Sequence, residues 1–376
     1  MTDRDDQPRP PVVRESRHGI ECLTLRRPTH SELRIIARPT GNEPIADLVR
    51  RVAAYCAERQ AGIATMTVFA PFDSRTPTAQ SLPASSALAG NTAWPITWLH
   101  AVPQASGVVA YAMAGVPLTP LFHEGMVIGV RYEIAGVSFC RLAGVTAPTA
   151  AADPADQAAT ALENMEGLLN TVGLRFQNVI RTWFFNKDIL SWYDDFNRVR
   201  NDFFTARGIR GAVLPASTGI GIANHYDRAL VGELLAVDGP KPVSVTRVPS
   251  PLQCAATDYG SAFSRALEFT APTGRSLYIS GTASIAPDGR TEFLNDPAGQ
   301  IRRTMEVIEA LLESRGLEWS DGIRAIAFFK DISDLPHFQA YCARRGLEPL
   351  PVLAVQADVC RPDLLFEMEF EAARRS

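Results

Sequence analysis

Residues 157–189, QAATALENMEGLLNTVGLRFQNVIRTWFFNKDI, align without a gap to residues 300–332, QIRRTMEVIEALLESRGLEWSDGIRAIAFFKDI, at an offset of 143. The identical pairs include Gln157/Gln300, Glu163/Glu306, Leu169/Leu312, Gly173/Gly316, Leu174/Leu317, Arg181/Arg324, Lys187/Lys330 and Asp188/Asp331. Two unrelated amphipathic helices would share apolar spacing. They would not also share the Gly-Leu stop and the later Lys-Asp-Ile. A repeat of this kind means one structural unit used more than once, and it predicts two related halves.

Each copy can be read physically. In the second, Asp296-Pro297 is an N-cap followed by proline at the first helical position. Ile301, Met305, Ile308 and Leu312 then share one helical face. Arg315 falls in the last turn and Gly316 supplies a left-handed cap. Strands are expected at 277–285, 323–329, 350–358 and 363–371, with a second helix at 334–345. The order predicts an α+β fold, each unit a mixed sheet with helices packed on one face. The first copy has the same order, with an aromatic second helix at 188–204. Its run Trp183, Trp192, Tyr193, Phe196, Phe203 and Phe204 reads as core.

The expected boundaries are a disordered, Pro-rich lead-in at 1–18, an N-terminal divergent unit at 19–235, a proline-rich linker at 236–252 and a C-terminal catalytic unit at 253–376. The lead-in lacks the apolar core of a secretory signal. The longest apolar stretch, near 105–122, is broken by Gly107, Gly115, Pro117 and Pro120, so no membrane span is expected and the cytoplasm is the default compartment. A net charge of −4 argues against a nucleic-acid partner. The six cysteines are scattered without a C-x-x-C, and the histidines show no metal spacing, so neither a metal nor a cofactor is indicated. Gly219-Ile-Gly221 is half of a dinucleotide fingerprint and opens no clear helix.

The second half resembles the RidA/YjgF superfamily, whose fold is chorismate mutase-like, through Ser280-Gly281, the Asp296…Gln300 helix start, Arg315-Gly316-Leu317 and the terminal strand 365–370. A fuller resemblance, from about Trp94 onward, is to the chorismatases, in the branch that forms 3-hydroxybenzoate. It is carried by Arg181-Thr-Trp-Phe, Trp192-Tyr-x-x-Phe-Asn197, Pro215-Ala-Ser-Thr-Gly-Ile-Gly221, Pro251-Leu-Gln-Cys254, Asp258-Tyr-Gly-Ser-Ala-Phe-Ser-Arg265, Ile279-Ser-Gly-Thr-Ala-Ser-Ile285 and Val359-Cys-Arg-Pro-Asp-Leu-Leu-Phe-Glu367. Small RidA imine hydrolases carry a carboxylate-binding arginine on the penultimate strand. Here that strand reads Pro349-Leu-Pro-Val-Leu-Ala-Val355, without one.

The resemblance implies a cofactor-free enzyme that removes pyruvate from chorismate, as a monomer or a homotrimer. An enol ether cleaves when its methylene carbon is protonated, so the enzyme needs a carboxylic acid still protonated near neutral pH. Glu367, on a strand with apolar neighbours, is the candidate. Cys360 occupies the position at which the family's 3-hydroxybenzoate branch carries a thiol. The atoms of 3-hydroxybenzoic and pyruvic acids account for every atom of chorismic acid, so no water is consumed. The substrate's two carboxylates call for arginines, with Arg181 and Arg265 the first choices and Arg324 the third. Tyr259 is a candidate hydrogen-bonding group, and the backbone at Gly281, Thr282 and Ala283 allows close ligand approach. The alternatives are a RidA-like protein that binds a small acid or hydrolyses imines, and a chorismatase relative giving 4-hydroxybenzoate or a dihydrodiol.

Overall fold

The computed structural model describes residues 12–71, 94–150, 152–209, 213–240, 243–347 and 349–373. Among the described residues there are three sheets of six strands, rather than two. The first holds β1 (Val12–Arg17), β2 (Ile20–Arg26), β3 (Ser31–Ala37), β4 (Ala61–Ala70), β5 (Ile96–His100) and β6 (Gly107–Ala114), with helix α1 (Ile45–Glu58). The second holds β7 (Thr119–His123), β8 (Met126–Ile134), β9 (Val137–Thr146), β10 (Val179–Asn186), β11 (Ala216–Gly221) and β12 (Leu230–Asp238), with α2 (Pro154–Asn170) and α3 (Tyr193–Ala206). The third holds β13 (Ser244–Val248), β14 (Ala266–Ala271), β15 (Gly274–Ala283), β16 (Gly322–Phe329), β17 (Val352–Gln356) and β18 (Phe366–Ala373), with α4 (Pro297–Glu313) and α5 (Leu335–Arg345).

The strand orders β1-β2-β3-β6-β4-β5, β7-β8-β9-β12-β10-β11 and β13-β14-β15-β18-β16-β17 are the same order. Each sheet has one parallel pair at the same place, β4/β5, β10/β11 and β16/β17. Each also breaks register at the same place, between Ile63 and Thr65, Val179 and Arg181, and Gly322 and Arg324. A bulge is a specific local feature, so its threefold recurrence marks three copies of one unit. The expected N-terminal unit at 19–235 therefore contains two sheets. The expected linker at 236–252 is mostly strand, with β12 running to Asp238 and β13 starting at Ser244. Likewise β1 occupies the end of the expected lead-in, while residues 1–11 lie outside the described residues.

The duplicated residues have structural jobs. Gln157 and Gln300, both buried, accept from the backbone N–H of Ala229 (2.9 Å) and Leu365 (2.8 Å), tying each helix start to the segment that enters the unit's last strand. Asp153 and Asp296 cap their helices by accepting from Ala155 and Gly299. Gly173 and Gly316 take the left-handed conformation that ends each helix turn, at φ 77° and 65°. The first unit has Gln60 in that conformation (φ 53°), which removes the Gly-Leu signature.

Each sheet packs its helices on one face, around Leu48 and Val52, Leu162 and Phe204, or Ile308 and Phe366. The opposite faces pack against one another, with Tyr111, Phe139 and Tyr278 in one shared cluster and Phe69, Phe185 and Phe328 in another. Short bridges stitch neighbouring units, Leu99 to Asn224, Ala216 to Ser264 and Gly221 to Asp358. Among the described residues no helix is long and apolar enough to cross a membrane.

Candidate active site

The seam between the second and third units holds a cavity of about 190 Å³, a small-molecule dimension. Its walls come from β11, the start of α3, β15, β18, and the loops carrying Tyr259–Arg265 and Cys360–Arg361. The seam is pinned by Ser280, whose hydroxyl accepts from the Ser217 N–H (2.8 Å) and donates to the Ser264 carbonyl (2.5 Å).

Glu367 projects into this cavity from β18. It stands opposite Ala283 on one side and Phe328 on the other, where the register of β15 slips between Ile279 and Thr282. The slip brings Gly281 under the carboxyl group. A Cβ at Gly281 would stand 2.0 Å from Glu367 Oε1, so only glycine leaves the acid its place. Among the described residues the carboxyl has no hydrogen-bond partner. Burial, with the neighbouring Glu369 charge second, pushes it up to about 8, against the pull of Arg181 and Arg265. At neutral pH it is a carboxylic acid.

The equivalent strand positions follow from the cross-strand partners Phe69↔Gly107, Phe185↔Val231 and Phe328↔Glu367. The other two units thus have Gly107 and Val231 where the third has its acid. A Cβ at Gly107 would lie 2.7 Å from Leu353, and Val231 is part of an apolar cluster. The threefold scaffold therefore carries this acid at a single seam.

Cys360 lines the same cavity, and burial, with Glu367 second, pushes its thiol up to about 12. It is a neutral thiol and not a thiolate nucleophile at physiological pH. Tyr259, Arg265, Gly281 and Ala283 also line the cavity. Arg265 donates Nε to the Cys254 carbonyl (3.0 Å) and leaves a buried Nη2 without a partner. Two further arginines join it. Arg200, 2% exposed, donates to Asn197 Oδ1 (2.6 Å), and Arg361 donates to the Gly289 carbonyl (2.7 Å). None of the three is ion-paired with a carboxylate among the described residues. Asp194 also lines the cavity, so three arginines face one aspartate and the neutral Glu367, and the net cationic wall suits a ligand bearing two carboxylates.

The expectations for Arg181 and Arg324 are corrected. Both lie outside the cavity and serve Glu369, a fully buried carboxylate. Glu369 Oε2 accepts from Arg181 Nη2 (2.8 Å) and Thr218 Oγ1 (2.6 Å), and Oε1 accepts from Arg324 Nη1 (2.7 Å) and Trp183 Nε1 (3.0 Å). Arg324 also donates to Glu371 (3.1 Å). These arginines neutralise an internal charge. Thr282 is also outside the cavity wall, its hydroxyl spent on the Ser280 carbonyl (2.8 Å).

Sequence reasoning missed Tyr193, Asn197, Arg200 and Arg361. The first three stand at i, i+4 and i+7, one face of α3, a spacing visible in the sequence but masked by the aromatic residues that do form core around them. Arg361 adjoins Cys360.

The family model described as Endoribonuclease L-PSP matches residues 135–232 and 256–374, so the chain belongs to that RidA-type family. Its relatives include chorismatases. It is 28% identical over 231 residues to a chorismatase of Streptomyces rapamycinicus, covering 54% of this chain and 66% of that one. It is 27% identical over 263 residues to a 3-hydroxybenzoate synthase of Streptomyces hygroscopicus, covering 64% and 75%. A chorismatase crystal structure superposes with a TM-score of 0.64 at 20% identity, over 83% of this chain and 93% of that one, which establishes a shared fold. The resemblance to the chorismatases seen in the sequence motifs is borne out.

Proposed function

We propose that this protein is a chorismatase that releases pyruvate from chorismate and forms 3-hydroxybenzoate. The observation that carries the reading is a neutral glutamic acid, without a protein partner, in a cavity lined by arginines that have no carboxylate partners. An enol ether needs a proton on carbon, and a carboxyl poised near 8 is protonated at neutral pH and acidic enough to give its proton up. Arg265, Arg200 and Arg361 hold the two carboxylates and fix the ring.

Glu367 protonates the methylene carbon and becomes a carboxylate. The ring carbon–oxygen bond then breaks, its electrons completing the carbonyl of pyruvate. The neighbouring 4-hydroxyl oxygen attacks the ring carbon left behind and returns a proton to Glu367. The resulting arene oxide opens at its other carbon–oxygen bond. Loss of the ring proton restores aromaticity, and the phenol oxygen takes up a proton. Cys360, as a neutral polarizable thiol, assists the opening and excludes water from the ring.

Purified protein incubated with chorismate tests the proposal. Pyruvate measured with a coupled dehydrogenase, and 3-hydroxybenzoate resolved by chromatography, should appear in equal amounts. Pyruvate with a dihydrodiol or 4-hydroxybenzoate would move the protein to another branch, and no pyruvate would end the enzyme reading. The imine-hydrolase alternative has less support, because β17 lacks the arginine which that chemistry uses.

A further inference from the structure

A second polar cavity, remote from the first, lies where the inner faces of the three sheets meet. Its volume is about 30 Å³, room for a small ion or about two water molecules. Arg27, Arg34 and Tyr111 come from the first unit, Tyr132 and Arg141 from the second, and Tyr278 from the third.

The charges in this wall do not cancel. Arg34 and Arg141 are 4% and 6% exposed, and their guanidinium carbons lie 4.0 and 3.8 Å from the centroid of the Tyr111 ring. Arg141 donates Nε to the Tyr132 hydroxyl (3.3 Å) and has no carboxylate within ion-pair distance among the described residues. Arg34 reaches Glu32 at 3.3 Å and Glu371 at 3.6 Å, but its buried Nε and Nη1 make no hydrogen bond. Glu32, the wall's one carboxylate, is already shared by Arg27 (3.3 Å), Arg34 and the Tyr111 hydroxyl (3.2 Å). Glu371 stands behind the wall and is taken up by Arg324. Three cations of the wall thus face one engaged carboxylate, with a second, Glu371, behind them and shared with Arg324.

The remaining groups are donors. The Tyr132 hydroxyl accepts from Arg141, so its own proton is free to point elsewhere. The Tyr278 hydroxyl has no hydrogen-bond partner among the described residues, and burial raises its pKa, keeping it a neutral donor. A buried guanidinium without a paired carboxylate, as at Arg141, is costly, and a cavity lined by donors in that setting attracts an anion.

We propose that this cavity binds one small monovalent inorganic anion of chloride size, held by Arg141, Arg34 and the hydroxyls of Tyr132 and Tyr278. Since the anion contacts all three units, its binding free energy adds to the stability of the folded chain. The inference is independent of the catalytic reading, because none of these residues lines the active-site cavity.

The probes are chloride and bromide, with gluconate as a control too large to enter. At constant ionic strength the melting temperature should rise with chloride or bromide and stay flat with gluconate. A crystal soaked in bromide should show an anomalous peak within hydrogen-bonding distance of Arg141 and Tyr278. Arg141→Met should lose the halide response, and if that variant fails to fold, Tyr278→Phe should still fold and raise the apparent halide dissociation constant about tenfold. Equal melting in chloride and gluconate, with no bromide peak, would overturn the proposal and leave a water in the cavity. An unchanged halide response in Tyr278→Phe would overturn the assigned donors.

Discussion

Replacing Glu367 by glutamine removes a titration while keeping the shape of the side chain. In the folded protein the acid titrates at about 8, against an ordinary value of 4.5. The native state therefore binds this proton more tightly than the unfolded state does. The resulting stabilisation is complete below 4.5 and is lost as pH rises towards about 8. At ~1.4 kcal/mol per pH unit, the gap corresponds to about 5 kcal/mol. Glutamine has no such term, so Glu367→Gln should gain on the wild type by up to that amount between pH 5 and 9. An unfolding entropy of about 2.1 cal/mol/K per residue over the whole chain turns this into roughly 6 °C of relative melting temperature. Calorimetry of both proteins across that pH range is the assay, and other titrations cancel in the difference. If the two melting curves stay parallel from pH 5 to 9, Glu367 is not a buried acid with a raised pKa, and the proposed mechanism loses its general acid.

Three further outcomes follow from the same site. Cys360→Ala should keep pyruvate release within about tenfold of wild type while shifting the aromatic product ratio, because the thiol acts after the ether is cleaved; product chromatography reads it. Arg265→Met should raise KM by roughly thirtyfold, from loss of about 2 kcal/mol of charged hydrogen bonding, with a smaller change in kcat. Gly281→Ala should cost on the order of 10²-fold in kcat, since the new methyl displaces the Glu367 carboxyl by about an ångström, and it should leave the melting temperature nearly unchanged.

The second and third units were legible because they share residues with fixed structural tasks, such as Gln157 with Gln300 and Gly173 with Gly316. The first unit was not, because Gln60 replaces the glycine at its helix end and Thr65 stands where the others have Arg181 and Arg324. Those two arginines misled for a related reason. An arginine inside a family motif reads as a ligand-binding group, but the sequence does not show that the buried carboxylate of Glu369 claims both of them. That fact exists only in the register of β18 against β16 and the seam with β10. Glu367 itself was accessible to strand alternation, while its raised pKa arises from burial and then from the Glu369 charge, which come together only in three dimensions. Arg200 went unseen because α3 reads as an aromatic core helix, and the cavity face it shares with Tyr193, seven residues earlier, is hidden among core aromatics.

The most direct test of the central claim is the pH dependence of kcat/KM for pyruvate release from chorismate, measured for the wild type and for Glu367→Gln. The account predicts a wild-type rate that falls tenfold per pH unit above about 8, following loss of the Glu367 proton, and no pyruvate from the variant at any pH. A variant that releases pyruvate at the wild-type rate, or a wild-type profile that stays flat to pH 10, would contradict it.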